Sequence, residues 1–354
     1  MRIPATTSRL LTASLVVSIM LLGTGCGAKD PVARGKATAF GTDVEITLIG
    51  VSRRHAAEAT DILARDFTLM DSAWSTGPTS PLARVNTLIN GGDRTFPAPP
   101  SLLPLLNLSR RLSEQSEELF NPAMGIVVRA WGFDTGSPDC LRPPPQALID
   151  EVLARRPSLR NLRLDGFHLH SDNPSVRLDF RDIRRGYAID QAIARLQELG
   201  IHSASIRIDG NIRAIGSRNG HPWSHAIRGP DGGGIYATLS IKGNEAAFTA
   251  GNYQNAFSWE DQVYHDILDP RTGFPAAGTA SVTVVHPDAS TADAAATALF
   301  IAGPDDWHRL ARQMGVRYVL LTDTNGRVHM NPAMKERIRL HRSNREVIIS
   351  DPLS

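Results

Sequence analysis

Five short apolar or alternating patterns follow one another between residues 205 and 249, with no helical pattern between them. They cover residues 205–208, 212–216, 224–228, 236–241 and 246–249. Consecutive strands joined without helices pair antiparallel, because a parallel pair needs a long crossover connection. Helical patterns are grouped elsewhere, and the most regular is the amphipathic stretch 187–199. The sequence therefore predicts an α+β fold with a mainly antiparallel sheet and flanking helices.

Length and charge narrow the classes of function. The chain has 354 residues, a formal net charge of +2 and 21% charged residues. Without a leader, about 330 residues can form one large domain or two joined ones, and we expect two intimately packed subdomains. The sequence has no basic stripe with interleaved aromatic residues, which disfavours nucleic-acid binding. We expect a small molecule or a protein as the partner.

The N-terminus has the order of a secretion signal. Arg2 and Arg9 precede an apolar run at 10–22, which is too short for a convincing membrane span and leads to small residues before Cys26. We interpret the segment up to Cys26 as a lipoprotein-type signal peptide and the cysteine as the site of lipidation. Plain secretion and an uncleaved anchor are the alternatives. Cys140 is the other cysteine of the chain, so a mature lipoprotein has no intramolecular disulfide.

This interpretation divides the chain into three parts. Residues 1–25 are the signal peptide, residues 26–36 are a polar tether, and residues 37–345 are the folded domain. The protein is then expected at a bacterial cell envelope, anchored by lipid and facing the periplasm.

A helical pattern that opens near residue 291 carries an acid and a hydroxyl group close together. Asp293 and Thr297 are four residues apart, so both oxygens point from one face of a helix. Oxygen ligands of this kind suit a hard cation such as Mg²⁺, which also keeps waters or substrate phosphates. The alternative is that Asp293 only caps the helix while Thr297 packs.

Arginines precede the long amphipathic stretch. Arg184 and Arg185 stand just ahead of Tyr187, and guanidinium groups beside a helix N-terminus form an anion site. Asp179 and Asp182 are in the same turn, so the alternative is a surface ion-pair cluster, which contributes little to stability.

Taken in order, the short motifs resemble the FAD:protein FMN transferases, the ApbE-type flavin-trafficking proteins, over nearly all of the chain after the leader. The matching segments are FGT at Phe40, SPLARVN at Ser80, WGF at Trp131, RRGYAID at Arg184, IDGNI at Ile208, AGNY at Ala250, LDPRTG at Leu268 and TADAAATALF at Thr291. LDPRTG with an acid and a threonine downstream is a quite specific pattern, and the fixed order of the eight segments argues against coincidence. Residues 37–345 are thereby identified as an ApbE-like flavin transferase domain.

The resemblance implies a magnesium-dependent transfer of the FMN half of FAD to a Ser or Thr hydroxyl of an exported or membrane protein, with release of AMP. It implies that Mg²⁺ is held by Asp293, Thr297 and main-chain oxygens near Asp182 and Ala296. It implies that FAD, as the substrate, is held by Phe40, Phe120, Asn121, Asp179 and Arg185. Ile267 would line the flavin site. Trp74 would stack on the isoalloxazine ring, or it is an ordinary core tryptophan.

Several residues that the family usually keeps differ here. Arg185 replaces a lysine, which keeps the charge but not the compact ammonium geometry. Asn121 replaces an aspartate. Asp266 stands where the family has a histidine, with His265 one place earlier. Either Asp266 acts as the base for the acceptor hydroxyl, or His265 reaches in from the opposite strand face.

These departures leave a second hypothesis from another class. The chain could be a catalytically weakened, FAD-binding periplasmic lipoprotein that carries, senses or scaffolds. A pyrophosphatase that cleaves FAD to FMN and AMP is a third.

Overall fold

The computed structural model describes residues 30–134, 142–230, 234–341 and 345–353. The signal peptide predicted for residues 1–25, Cys26 and Cys140 therefore lie outside the described residues. The helices in the described part are α1 (Arg53–Trp74), α2 (Pro81–Asn90), α3 (Leu103–Gln115), α4 (Gly125–Ala130), α5 (Gln146–Ala154), α6 (Arg181–Glu198), α7 (Ala289–Gln313) and α8 (Pro332–Lys335). None of these helices has the length and apolar character of a membrane span.

The strands are short and follow the predicted grouping. They are β1 (Val32–Ala39), β2 (Thr42–Ile49), β3 (Thr95–Pro97), β4 (Leu162–Asp165), β5 (His168–Ser171), β6 (Ala204–Ile208), β7 (Asn211–Ile215), β8 (Trp223–Arg228), β9 (Ile235–Ile241), β10 (Glu245–Gly251), β11 (Ala256–Trp259), β12 (Gln262–His265), β13 (Thr279–His286), β14 (Tyr318–Asp323), β15 (Val328–Met330), β16 (Ile338–Leu340) and β17 (Val347–Ile349).

One large sheet organises the molecule. Its strand order is β1-β2-β6-β7-β10-β13-β14-β15-β17, and its pairs are antiparallel except for β15 with β17. Smaller sheets are formed by β16-β9-β8, β3-β5-β4 and β11-β12. The predicted α+β class with a mainly antiparallel sheet is confirmed.

The core lies on both faces of the large sheet. Neighbouring residues of one strand belong to different apolar clusters, because side chains alternate across a strand. Val284 packs in the cluster that contains the helices, whereas Val285 packs in the cluster with β8 and β9. The same division separates Ala246 from Ala247. The two packed units expected from the sequence thus share one sheet and cover its opposite faces.

The ends of the folded region differ from the prediction. Residues 32–49 form a hairpin of β1 and β2, because Phe40 and Gly41 turn the chain with φ angles of 53° and 76°. Strand β1 begins at Val32, so the tether predicted for residues 26–36 is too long. The fold also continues past residue 345, because Val347 pairs with Val328 at the sheet edge.

Asn86 of α2 holds the segment that leads into α6. Its side-chain amide donates to the carbonyl of Leu178 at 2.9 Å, and its oxygen accepts from the N–H of Leu178 at 2.7 Å. Asn86 is buried, so water cannot replace it as the hydrogen-bond partner of these main-chain groups. The asparagine of the SPLARVN motif therefore fixes the strand-like segment ahead of Asp179.

We expect Asn86→Ala to lower the free energy of unfolding by about 2–4 kcal/mol, since two buried main-chain groups lose their partner. Urea denaturation measures this loss. Asn90→Ala is the matched control, because Asn90 also donates to main-chain carbonyls, those of Pro174 and Val176, but from an exposed position. Equal losses in the two variants would contradict this account.

Candidate active site

Helices α6 and α7 approach each other most closely at Gly186. A Cβ atom on Gly186 would lie 2.4 Å from the carbonyl oxygen of Ala289 and 2.9 Å from the Cβ of Asp293. The N–H of Gly186 donates to Oδ2 of Asp293 at 3.0 Å. The glycine of RRGYAID is therefore required by packing, and it brings the two helices together where their polar residues lie.

Asp293 and Thr297 line one wall of a cavity of about 340 Å³, and Asp182 of α6 lines it too. The spacing along α7 puts the acid and the hydroxyl on one face, as the sequence predicts. Asp293 lies in the second turn of α7 and accepts from Gly186, so the alternative in which it only caps the helix is wrong. Ala296, which precedes Thr297, is buried in the same helix.

The carboxylates of this wall have perturbed pKa values. Burial raises the pKa of Asp293 to about 7, against the hydrogen bond from Gly186 and the charge of Arg185. Burial likewise raises the pKa of Asp182 to about 6, with Arg181 opposing it. The charge of Asp182 also raises the pKa of Asp293, and the charges of Asp266 and Asp179 raise the pKa of Asp182. Two partly buried acids that resist ionisation are stabilised as carboxylates by a divalent cation, so the donor set fits Mg²⁺.

The side chains alone do not form a full metal shell. Within the described ranges, no group of three or more His, Cys, Asp and Glu side chains is arranged to hold a metal ion. The predicted shell has only two side-chain ligands, Asp293 and Thr297, and takes the rest from main-chain oxygens at Asp182 and Ala296. These ligand roles stay predictions.

Three arginines of α6, Arg181, Arg184 and Arg185, also line the cavity. Arg181 pairs with Asp179 at 3.0 Å and lies 3.8 Å from Asp266. Burial acts to lower the pKa of Arg181, but the charges of Asp179 and Asp266 raise it by more. The net shift is upward, so Arg181 stays charged. Arg185 lies 3.4 Å from Asp209. The cavity is thus lined by fixed positive charges within reach of the acids.

The predicted helix-terminus anion site does not form as expected. Helix α6 begins at Arg181, so Arg184 and Arg185 lie inside its first turns rather than ahead of it. The arginines offer guanidinium groups instead of free main-chain N–H groups. Asp179, predicted to hold FAD, is 9% exposed, pairs with Arg181 and is not among the residues that line the cavity.

The two candidates for the base are in different places. Asp266 lines the cavity, and its Oδ2 accepts from the side-chain amide of Asn255 at 3.0 Å. His265 is buried against Phe300, and its Nε2–H donates to the carbonyl of Ala276 at 3.0 Å. Burial lowers the pKa of His265, so this ring is neutral. The structure therefore favours Asp266 over His265 for contact with a substrate in the cavity.

Of the side chains predicted to contact the flavin, one lines the cavity and others are buried in the core. Ile267 lines the cavity. Phe40 and Trp74 are buried and stack on each other with ring centroids 6.3 Å apart. Arg184 bridges them to the cavity, because its guanidinium lies 4.9 Å from the Phe40 ring and donates to the carbonyl of Trp74 at 3.4 Å. Trp74 is 4% exposed, which agrees with the alternative of a core tryptophan.

Phe120 and Asn121 are not among the residues that line the main cavity. Phe120 is 2% exposed and belongs to the main core. Asn121 lines a small space that also touches Asp182, Asp266 and Thr297, and its amide donates to the carbonyl of Pro157 at 3.1 Å. The asparagine is therefore near the predicted metal ligands but is not among the residues that line the main cavity.

Several further residues line the cavity. The sequence motifs include or adjoin some of them, but the sequence analysis did not name these residues as site residues. Asn211 and Thr249 lie on adjoining strands and are joined by a bond of 2.8 Å from the N–H of Thr249 to the Asn211 side chain. Asp209 has a φ angle of 50° in the IDGN turn, which points it toward Arg185. The glycine turn IDGN was the available signal. Asn255 had none, because its partner Asp266 follows only after the β11–β12 hairpin.

Comparison with known proteins finds the same family that the sequence motifs resemble. Residues 40–320 match the model of the ApbE family. A FAD:protein FMN transferase of Rhodobacter capsulatus is 36% identical over 300 residues, which cover 84% of this chain and 57% of that protein. One of Treponema pallidum (strain Nichols) is 29% identical over 311 residues, which cover 82% of this chain and 84% of that protein.

The fold has a solved counterpart. The crystal structure of the ApbE protein from Thermotoga maritima superposes with a TM-score of 0.77 at 26% identity, covering 88% of this chain and 100% of that one. The α+β fold described above is therefore that of solved ApbE proteins. The chain belongs to the ApbE family, as its ordered motifs predict. It spans 57% of the length of the Rhodobacter relative.

The raised pKa of Asp293 makes stability depend on pH in the metal-free protein. The folded state binds a proton at Asp293 up to about pH 7, whereas the unfolded chain releases it near the ordinary value of 3.8. Stability from this group is therefore present below pH 3.8 and lost as pH rises to about 7. We expect Asp293→Asn, which keeps an acceptor for Gly186, to reduce this loss by about 2 kcal/mol.

Denaturant titrations at pH 4.5 and pH 8 in a chelator measure the difference. Asp306→Asn is the control, because Asp306 is an exposed acid whose pKa is lowered by its hydrogen bond with Arg309. A pH dependence unchanged by Asp293→Asn would contradict the raised pKa.

Proposed function

We propose that this chain is a magnesium-dependent FAD:protein FMN transferase. It moves the FMN half of FAD to a Ser or Thr hydroxyl of an exported or membrane protein and releases AMP. The observation that carries the proposal is the single cavity in which Asp293, Thr297 and Asp182 face three arginines, with Asp266 on the same lining. Such a cavity can hold a diphosphate and an attacking hydroxyl together.

The reaction exchanges one phosphoester for another. The acceptor oxygen attacks the phosphorus on the FMN side of the diphosphate and forms a new P–O bond. The bond from that phosphorus to the bridging oxygen breaks, and AMP leaves with the oxygen. The hydroxyl proton must go to a base, and catalysis otherwise consists of positioning and charge neutralisation.

The predicted ligands Asp293, Thr297 and the main-chain oxygens of Asp182 and Ala296 would hold Mg²⁺ at one wall. There it would neutralise the negative charge that builds on the diphosphate oxygens. In support, burial raises the pKa of Asp293 to about 7, so a cation that binds to this carboxylate takes the place of a proton.

The residues of this chain supply the other functions. Arg184 and Arg185 project into the cavity and suit bidentate contact with phosphate oxygens. Asp266 would take the proton from the acceptor hydroxyl, since its carboxylate faces the cavity. Asn255 and Arg181 hold this carboxylate from two sides, at 3.0 and 3.8 Å.

We further propose that the protein is anchored through lipid at Cys26 and works at the periplasmic face of the cell envelope, where its acceptor is exported or membrane-bound. The charged, apolar and small-residue order of the leader supports this proposal. Mass spectrometry of the protein from membranes tests it, since a diacylglyceryl group on Cys26 is expected. A mature chain that begins elsewhere without lipid would refute the anchor.

Incubation with FAD, Mg²⁺ and candidate acceptor proteins distinguishes the functions. FMN bound covalently to a Ser or Thr of an acceptor supports the transferase. Free FMN and AMP would indicate a pyrophosphatase instead. Bound, unchanged FAD would indicate the flavin-binding lipoprotein.

We expect Asp293→Ala to lower the rate of flavin transfer by at least about a hundredfold, as loss of several kcal/mol of charge stabilisation implies. The rate of FMN attachment at saturating FAD measures this. Asp288→Ala is the control, because Asp288 is an exposed acid that precedes α7 and makes no side-chain cap. Activity retained by Asp293→Ala would overturn the metal assignment.

Asp266→Asn tests the base. It keeps the size and one acceptor for Asn255 but cannot take the proton, so we expect transfer to slow by about a hundredfold with FAD affinity unchanged. His265→Gln should keep transfer within about tenfold of wild type, since His265 lies in the core and not in the cavity. The reverse ranking of the two variants would show that His265 is the base.

A further inference from the structure

The N-terminus of α7 is capped by a side chain from α6. Oδ1 of Asp190 accepts from the N–H of Ala289 at 2.8 Å, and Oδ2 accepts from the N–H of Ser290 at 2.9 Å and from its hydroxyl. Asp288, which occupies the cap position of α7 itself, makes no side-chain cap bond. Asp190 thus satisfies the first free N–H groups of the helix that carries the predicted metal ligands.

This contact is partly buried and charged. Oδ1 of Asp190 also accepts from Arg213 of β7, and these side chains are 14% and 10% exposed. Arg213 is held in turn by the side chain of Asn244 at 3.1 Å. A carboxylate at the positive end of a helix is stabilised by the helix dipole. The bond therefore ties α6, α7 and the large sheet together at one point.

The two helices meet in a ladder of facing residues. Residues four apart lie above one another on a helix, so each helix presents one row of side chains to the other. The rows are Asp182, Gly186 and Asp190 on α6, and Thr297, Asp293 and Ala289 on α7. The Asp190 bond closes the ladder at one end, and the bond from Gly186 to Asp293 forms the middle rung. Asp182 and Thr297 form the other end, where both line the cavity.

We infer that Asp190 is a positioning residue for the metal site. It fixes how far α7 slides along α6, and thereby sets Asp293 and Thr297 against the main chain at Asp182. Gly186 permits the close approach and adds one bond to Asp293, whereas the bonds of Asp190 to two successive N–H groups define the register at the end of α7. This inference rests on the proposed function, because it takes these residues to be ligands.

The test measures metal binding directly, with Mn²⁺ as the probe and electron paramagnetic resonance of the whole protein as the readout. Asp190→Asn removes the charge and places an amide N–H against N–H donors. We expect its affinity for Mn²⁺ to fall about tenfold or more, as loss of a residue that orients ligands does. Its affinity for FAD in a chelator should stay within about twofold of wild type.

A milder variant guards against loss of folding. Ser290→Ala removes the hydroxyl bond to Asp190 but keeps the N–H bond, so we expect a drop of about threefold in Mn²⁺ affinity. At saturating metal, this variant should transfer flavin at the wild-type rate.

Asp323→Asn is the matched control. Asp323 is a buried carboxylate that accepts from two main-chain N–H groups, those of Asn325 and Arg327, and pairs with the Arg327 side chain, but it lines neither space at the metal ligands. It should lose thermal stability as Asp190→Asn does while keeping Mn²⁺ affinity.

The outcomes separate the two proposals. Absence of Mn²⁺ binding by the wild-type protein would refute the metal site and the proposed function with it. Wild-type binding together with equal affinity in Asp190→Asn would refute the positioning role alone. An equal loss of affinity in Asp323→Asn would also refute it, because the effect would then come from general destabilisation.

Discussion

The contact of α6 with α7 at Gly186 is the constraint on which the site depends. The first half of α7 is rich in alanine, with Ala292 and Ala295 fully buried, so its backbone lies close to its neighbours. At the crossing, no side chain separates the main chain of Gly186 from that of Ala289. A carboxylate on α7 can then reach an N–H of α6. Larger side chains at the crossing would separate the acids that the cavity requires.

Close packing also explains why the pKa values of Asp293 and Asp182 are raised. A helix pair that excludes water lowers the local dielectric, which disfavours the charged form of Asp293 and Asp182. The same exclusion of water strengthens the attraction between these acids and any cation bound there. The metal-free fold therefore holds acids that are costly to ionise, and the same arrangement is suited to magnesium and a diphosphate.

The helix-borne part of the site could be predicted from the sequence. Asp293 and Thr297 are local on one helix, so their spacing alone gives their shared face, and Gly186 is marked by its motif. The pairing of Arg181 with Asp266 could not be predicted, because it joins segments that only the sheet topology brings together. The start of β1 at Val32 was also missed, since none of residues 32–36 is buried and they therefore carry no apolar pattern.

Charge in the cavity connects the proposed metal site with the proposed substrate site. Its described lining carries five aspartates, Asp134, Asp182, Asp209, Asp266 and Asp293, against the three arginines of α6. Full ionisation would leave an excess of negative charge facing a substrate diphosphate that is itself negative. Protons on the acids with raised pKa values, or a divalent cation in their place, remove this excess. Asp266 stands where the resemblance predicts a histidine, and it adds one carboxylate to this excess.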